Sequence, residues 1–207
     1  MHVEAVYACF EEITTHPYLE KERGLPAALL ESQRFAGRVR KDDTPYKNVI
    51  FPHFDQNGLG GYEIKNRGFT GFARGGEKGL WMSHTRDDDN RLVFCESAID
   101  ALSHAVLFPD DRTRYASIGG KPNPLQPELI RAAVTRMPQG AEIVAAMNND
   151  ADGEVLAGVV EKAVKLSNRN DLRFTVHQPV GFKDFNDQLR LKPASSLPYR
   201  HGTPSVA

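Results

Sequence analysis

Cysteine is scarce. Cys9 and Cys95 are the two in 207 residues, and they stand far apart. Two isolated cysteines lack metal-ligand spacing, so a structural zinc module is excluded. They read as reduced structural thiols. Long apolar runs are missing too. No stretch approaches the roughly 18 apolar residues that a membrane-spanning helix needs, so no membrane partner is expected. The stretch from Met1 to Glu12 is interrupted by His2, Glu4, Glu11 and Glu12, which argues against an apolar leader and for a cytoplasmic location. Net charge is nearly absent, at −1, so bulk charge does not announce a nucleic-acid binder. There is no internal repeat.

What is present is ordinary in amount and uneven in placement. Apolar residues make up 40% and charged residues 26%, as in a globular chain. Between Arg34 and Arg86 ten Lys/Arg face five Asp/Glu, while the remainder is acidic. A polyanion-binding surface can have that asymmetry.

The first half has mixed periodicity. Val3, Val6, Tyr7, Phe10 and Ile13 recur at helical spacing, which predicts a helix over 2–15 closed by Thr14-Thr15-His16-Pro17. A short helix is expected after Gly24-Leu25-Pro26, with proline in its first turn. Asn48 to Phe54 and Leu59 to Ile64 flank the turn signal Asp55-Gln56-Asn57-Gly58, a β-hairpin pattern that Phe69, Phe72, Leu80 and Trp81 continue. The connector His84 to Asn90, with Asp87-Asp88-Asp89, reads as a solvated loop rather than a metal site.

From Arg91 strands and helices alternate. Strands are expected at Leu92–Cys95, Arg114–Ile118, Ile143–Met147 and Leu172–Val176. Helical faces are expected around Ala98–Val106, Leu125–Met137 and Val155–Val164. Repeated units of this kind predict an α/β fold with a central, mainly parallel sheet and right-handed crossovers. The expected division is an α+β subdomain over 1–86, an α/β domain over 87–191 and a flexible tail over 192–207.

In a parallel sheet the carboxyl ends of the strands share one edge, where open α/β sheets bind ligands. Acids follow three predicted strands: Glu96; Asp150 and Asp152; and, further on, Asp184 and Asp187 in GFKDFNDQL. Converging carboxylates need a cation or a shared proton, and a divalent metal is the simplest answer. Each acid also has a plainer role. Glu96 next to Ser97 can start a helix, Asp150 and Asp152 can cap the next one, and Asp184 and Asp187 can form a turn and cap. Gly119-Gly120 either lets the backbone approach a phosphate or makes a tight strand exit. Lys78, Lys47, Arg67 and Arg74 offer positive charge to a phosphate backbone, and Lys78, in a glycine-rich turn, is also a candidate catalytic residue beside Glu96. Phe69, Phe72 and Trp81 either stack on unpaired bases or fill the core.

The order of strands, with Glu96 after the first and the acidic turn Asn148-Asn149-Asp150-Ala151-Asp152-Gly153 after the third, resembles the Rossmann-like Toprim domain of primases, topoisomerases and some nucleases. The resemblance covers about 91–190. It implies that Glu96 is a general acid/base and that the acidic turn binds Mg²⁺ or Mn²⁺. Registered on Gly153, the family's first aspartate falls on Asn148 and its second on Asp150, and Asp152 adds a carboxylate two residues on. The upstream VIFPHFDQNGLGGYEIKNRGF and GGEKGLW resemble the subdomain beside the Toprim core of DnaG-type primases, where a lysine such as Lys78 precedes the sheet. The whole chain is similar to DUF3991-plus-Toprim proteins of plasmids and mobile elements. The resemblance implies single-stranded DNA or RNA and nucleotides as partners, with plasmid replication or mobilisation proteins alongside. Primase-like nucleotidyl transfer is the expected activity. The alternatives are a non-catalytic nucleic-acid-binding module and a Toprim nuclease.

Overall fold

The computed structural model describes residues 3–191, so the expected tail over 192–207 lies outside the described residues. Two five-stranded sheets organise the chain. The first is antiparallel throughout. Its strands are β1 (Glu11–Glu12), β2 (Arg40–Lys41), β3 (Val49–Asp55), β4 (Gly58–Asn66) and β5 (Phe69–Phe72), in that order across the sheet. The β3–β4 hairpin turns where Asp55-Gln56-Asn57-Gly58 signals it, with a bulge between His53 and Phe54.

The expected helix over 2–15 is cut short. Helix α1 covers Val3–Ala8, and Glu11–Glu12 instead pair with Lys41 and Arg40. The apolar residues of this segment serve two cores, and that is the physical reason. Val3, Val6, Tyr7 and Phe10 pack with Ile50 and Tyr62 on one face of the first sheet, while Ile13 joins the main core. No straight helix reaches both. A π-helical turn, Tyr18–Glu22, follows, then the expected short helix, α2 (Ala27–Glu31), begins directly after Pro26, which is its extended N-cap rather than part of its first turn.

The second sheet has the order β10-β9-β7-β8-β6. Strands β7 (Arg91–Cys95), β8 (Thr113–Ser117), β9 (Glu142–Ala146) and β10 (Arg173–His177) run parallel, and β6 (Trp81–Met82) pairs antiparallel with β8. The sequence pattern had placed Trp81 in the first sheet. Leu80 does bridge to Phe54, but the next two residues cross to the second sheet and tie the two together. Helices α3 (Ala98–Leu107), α4 (Gln126–Thr135) and α5 (Ala151–Leu166) are the crossovers, and α6 (Phe185–Leu191) closes the described chain.

Alternate strand residues feed opposite cores. Val93, Cys95 and Val144 meet α3, α6 and the amino-terminal segments, while Leu92, Phe94, Ile143 and Ala145 meet α4 and α5. Helix α3 is buried along its whole length, covered by the sheet on one side and α6 and earlier segments on the other. The Asp87–Asp89 connector differs from its expected solvated character at one residue. Asp89 is fully buried, takes two hydrogen bonds from Arg34 at 2.9 and 2.6 Å, and accepts from Arg114 Nε at 3.1 Å and the Arg86 N–H at 2.8 Å. Burial opposes its ionisation, but the Arg34 and Arg86 hydrogen bonds and the nearby arginines hold its carboxyl below the usual range. No described helix is long and apolar enough to cross a membrane.

Candidate functional site

Register decides what meets at the sheet edge. Cys95 lies opposite Ala146 on one side and Ser117 on the other, and Ala146 opposite His177, so the four parallel strands end level. Glu96 and the Asn148–Gly153 turn leave neighbouring strands at that edge. Glu96, Asp152, Lys121, Pro122, Val155 and Leu156 line a cavity of about 300 Å³.

Glu96 is held by its backbone and left open at its side chain. Its carbonyl accepts from the Gly119 and Gly120 N–H groups at 2.8 and 3.0 Å. Those N–H groups are therefore engaged, and the tight strand exit is what the glycine pair forms. Gly119 also has φ +75°, and a Cβ there would meet Glu63 Oε1 at 2.7 Å and His53 Cε1 at 2.8 Å. Glu96 Oε2 is buried without a hydrogen-bond partner among the described residues, and so is Asn148 Oδ1. Burial raises the Glu96 carboxyl above its ordinary pKa, and Asp150, Asp152 and Asp184 add to the rise while Lys183 opposes it.

The acidic turn does two things at once. Asp150 is the N-cap of α5, its Oδ1 accepting from Gly153 N–H at 2.9 Å, while Oδ2 lies 3.6 Å from Lys183 Nζ. Asp152 sits in the exposed first turn. The Asn149 N–H donates to Lys183 carbonyl at 2.8 Å, tying this turn to the loop before α6. Asp184 accepts from the Asp187 N–H at 2.7 Å and so caps α6, and Asp187 pairs with Arg190 at 3.4 Å. Among the described residues no three His, Cys, Asp or Glu side chains gather as a ready metal cluster. A hard cation does not require three, because Mg²⁺ keeps several waters and uses one or two carboxylates. The two unpartnered buried oxygens beside Asp150 and Asp152 are a hard-oxygen donor set that fits such an ion.

Two groups at this edge escaped the sequence reading. Asp100 is buried on α3 with Oδ2 accepting from Ser97 Oγ–H and Oδ1 accepting from the Asn186 N–H at 3.3 Å. Burial and then Asp184 push its carboxyl up to about 7, against the hydrogen bonds from Ser97 and Asn186. The Ser97-Ala98-Ile99-Asp100 spacing is a capping-box pattern and was the available signal. Lys183, the cation nearest Asp150, had none.

The remaining candidates are scattered. Lys78 Nζ donates to the Gly119 and Lys121 carbonyls at 2.8 and 3.0 Å, and burial lowers its pKa. It braces the loop that holds Glu96. Trp81 is fully buried and donates to the Arg38 carbonyl at 2.8 Å, so it is core and offers no face to a base. Phe72 is half-buried, edge-on to His53. Phe69, Lys47, Arg67 and Arg74 are exposed, the first three at the other end of the first sheet.

Between these regions lies a buried charged network. His53 bonds Glu63 Oε1 at 2.9 Å through Nε2 and the Gly79 carbonyl at 2.8 Å through Nδ1, and Lys65 reaches Glu63 Oε2 at 2.9 Å. Burial opposes ionisation of Glu63, but the His53 hydrogen bond and the Lys65 charge outweigh it and hold the carboxyl at about 2. A depressed carboxyl stabilises the fold above its unfolded pKa and loses that contribution as pH falls toward its folded value. Stability is expected to fall between pH 4.5 and about 2 by up to ~1.4 kcal/mol per pH unit. Urea titrations across that window should show this slope in the wild type and a flatter one in Glu63→Gln. Equal slopes would contradict the assignment.

Family comparison agrees with this geometry. Residues 93–189 match the family model described as Toprim-like, and residues 17–90 match DUF3991, described as a protein of unknown function. This chain is a Toprim-domain protein of the DUF3991 type. Solved structures holding bacteriophage T7 primase domains share its fold. The primase fragment of the bacteriophage T7 primase-helicase is 16% identical with TM-score 0.51, over 81% of this chain and 66% of that one. A structure of the T7 lagging-strand DNA polymerase interacting with primase domains bound to an RNA/DNA hybrid and dTTP gives 20% identity and TM-score 0.56, over 81% of each chain. A DNA primase domain from Pseudomonas aeruginosa gives 16% identity and TM-score 0.48, over 87% of this chain and 60% of that one. The Toprim-domain protein thus spans just under two thirds of the T7 fragment's length. No curated protein sequence matches it.

Proposed function

We propose that this Toprim-domain protein performs metal-dependent nucleotidyl transfer on a single-stranded template, in the manner of a primase core. The observation that carries the reading is the pair of buried, unpartnered oxygens, Glu96 Oε2 and Asn148 Oδ1, beside Asp150 and Asp152 at the carboxyl edge of a parallel sheet. Unpaired buried oxygens are costly unless a ligand satisfies them. Asn148, Asp150 and Asp152 would hold Mg²⁺ or Mn²⁺, with Asp187 as a further candidate ligand. The ion, when bound, supplies charge neutralisation to the phosphates of an incoming nucleotide. Glu96, with its raised pKa, takes a proton from the attacking hydroxyl at Oε2. Lys78 keeps the Gly119–Lys121 loop, and through it the Glu96 backbone, in place. Lys47, Arg67 and Arg74 would offer positive charge to the phosphates of the nucleic acid.

A second reading has its own observation. Asn148 stands where the family's first acid is expected, and a neutral amide binds a hard cation less strongly. It favours a binding module of a plasmid replication or mobilisation complex over an enzyme. The purified chain, given Mn²⁺ or Mg²⁺, ribonucleotides and single-stranded DNA, is expected to make short oligonucleotides. Retention of the DNA without synthesis or cleavage would replace the enzymatic reading with the binding one, and cleavage would make the protein a Toprim nuclease.

A further inference from the structure

The first sheet carries a cleft remote from the acidic edge. It opens where β3 begins and β4 turns into β5, has a volume of about 440 Å³, and is lined by Tyr46, Asn48, Asn66, Arg67 and Phe69. Two large rings are bare there, Tyr46 at 78% and Phe69 at 50% exposure. Aromatic rings in water forgo the burial that makes them useful in a core, and bare rings around a cleft are how binding surfaces are built. They do not hang on loose chain. Asn66 Nδ2 donates to the Tyr46 carbonyl at 2.8 Å and to Asn48 Oδ1 at 3.0 Å, so the segment bearing Tyr46 is fastened to the hairpin bearing Phe69. Asp42 fixes the same segment from below through the Asn48 N–H at 2.9 Å and Asn48 Nδ2 at 2.7 Å. The ring of Tyr46 is exposed while its backbone is anchored.

The lining chemistry selects the ligand. It holds two π faces, two amides and one cation, and none of the lining residues is a carboxylate. Arg67 is 79% exposed along its side chain and pairs with Glu22 at 2.8 Å, which fixes the guanidinium and offsets part of its charge. Rings that accept any base and a guanidinium that accepts a phosphate are the two components of sequence-tolerant single-strand binding. The volume falls within the roughly 300–1,000 Å³ of small-ligand sites and suits a single nucleotide.

We propose that this cleft stacks an unpaired nucleobase on Tyr46 and Phe69 while Arg67 meets its phosphate. The inference rests on the nucleic-acid reading above and adds a contact site outside the acidic edge. A base of a passing strand and a free nucleotide share this chemistry, and two probes tell them apart.

The test is fluorescence anisotropy of a labelled oligothymidylate with the full chain, and competition by dTMP. Tyr46→Leu and Phe69→Leu are each expected to weaken binding roughly tenfold or more, while Tyr46→Phe keeps it, since the π face rather than bulk is what binds. Thermal midpoints should stay at the wild-type value, because both rings are exposed. Competition by dTMP at the strand's own affinity would make a free nucleotide the ligand, and failure to compete would make it a strand; either supports the site provided the Leu variants bind less. Wild-type affinity in both Leu variants would overturn the cleft and leave the nucleic-acid reading standing. A wild-type chain that binds neither probe would overturn both.

Discussion

Replacing Glu96 with Gln is expected to lower template-directed synthesis by about 10²- to 10⁴-fold, the usual contribution of a general acid/base. The substitution keeps the size and hydrogen-bonding reach of the side chain but removes its exchangeable proton. Glu96 owes its raised pKa first to burial and then to Asp150, Asp152 and Asp184. Removing its charge relieves repulsion among four carboxylates, so the variant should melt at the wild-type temperature or above it. Loss of rate with no loss of stability separates chemistry from structure. The pH profile adds a second readout. A carboxyl that acts as base must be ionised, so wild-type rate should rise with pH through its raised pKa, and the Gln variant should lack that limb. A variant that keeps the wild-type rate, or one that loses rate while keeping the limb, removes Glu96 from the acid/base role.

The parallel half of the fold was legible because its signals are local and repeated. Buried strands such as Ile143–Met147 stop at turn formers, and each following helix shows one apolar face, so periodicity and punctuation agree. The amino-terminal half mixes scales. Val3 to Ile13 has helical spacing, yet Phe10 and Ile13 belong to different cores, and spacing does not record which core a residue joins. Trp81 shows the same limit, since its strand pairs with β8, more than thirty positions along the chain. At the site, Glu96, Asp150 and Asp152 were visible as acids after strands. What a single sequence does not display is three-dimensional partnership. Asp89 reads as one of three solvated acids until Arg34 and Arg114 fold over it, and Asp100 gains its place at the site only when Asn186 arrives from α6.

Gly153→Ala should destabilise the protein by about 4 kcal/mol, combining a backbone clash with the loss of a helix cap. A Cβ at this position would lie 2.0 Å from the Asn148 carbonyl oxygen, 2.8 Å from its carbon and 3.0 Å from its nitrogen. All three are main-chain atoms of the turn just past β9, so no side chain can swing aside. Either the first turn of α5 or the Asn148–Asp150 turn must move. Moving the helix drags Leu156, Val160 and Ala163 from the core. Moving the turn breaks the Asp150 cap, the Asn149–Lys183 hydrogen bond and the 3.6 Å approach of Lys183 to Asp150. The melting temperature is expected to fall by roughly 10 °C. A control on the same helix has the opposite sign. Gly158 is exposed, and a Cβ there meets nothing within 4 Å. Gly158→Ala should therefore stabilise by roughly 0.5–1 kcal/mol through helix propensity. Circular dichroism melts of the two variants side by side decide the matter. If Gly153→Ala melts with the wild type, or if Gly158→Ala falls with it, the close approach of α5 to Asn148 is not what holds the acidic turn in place.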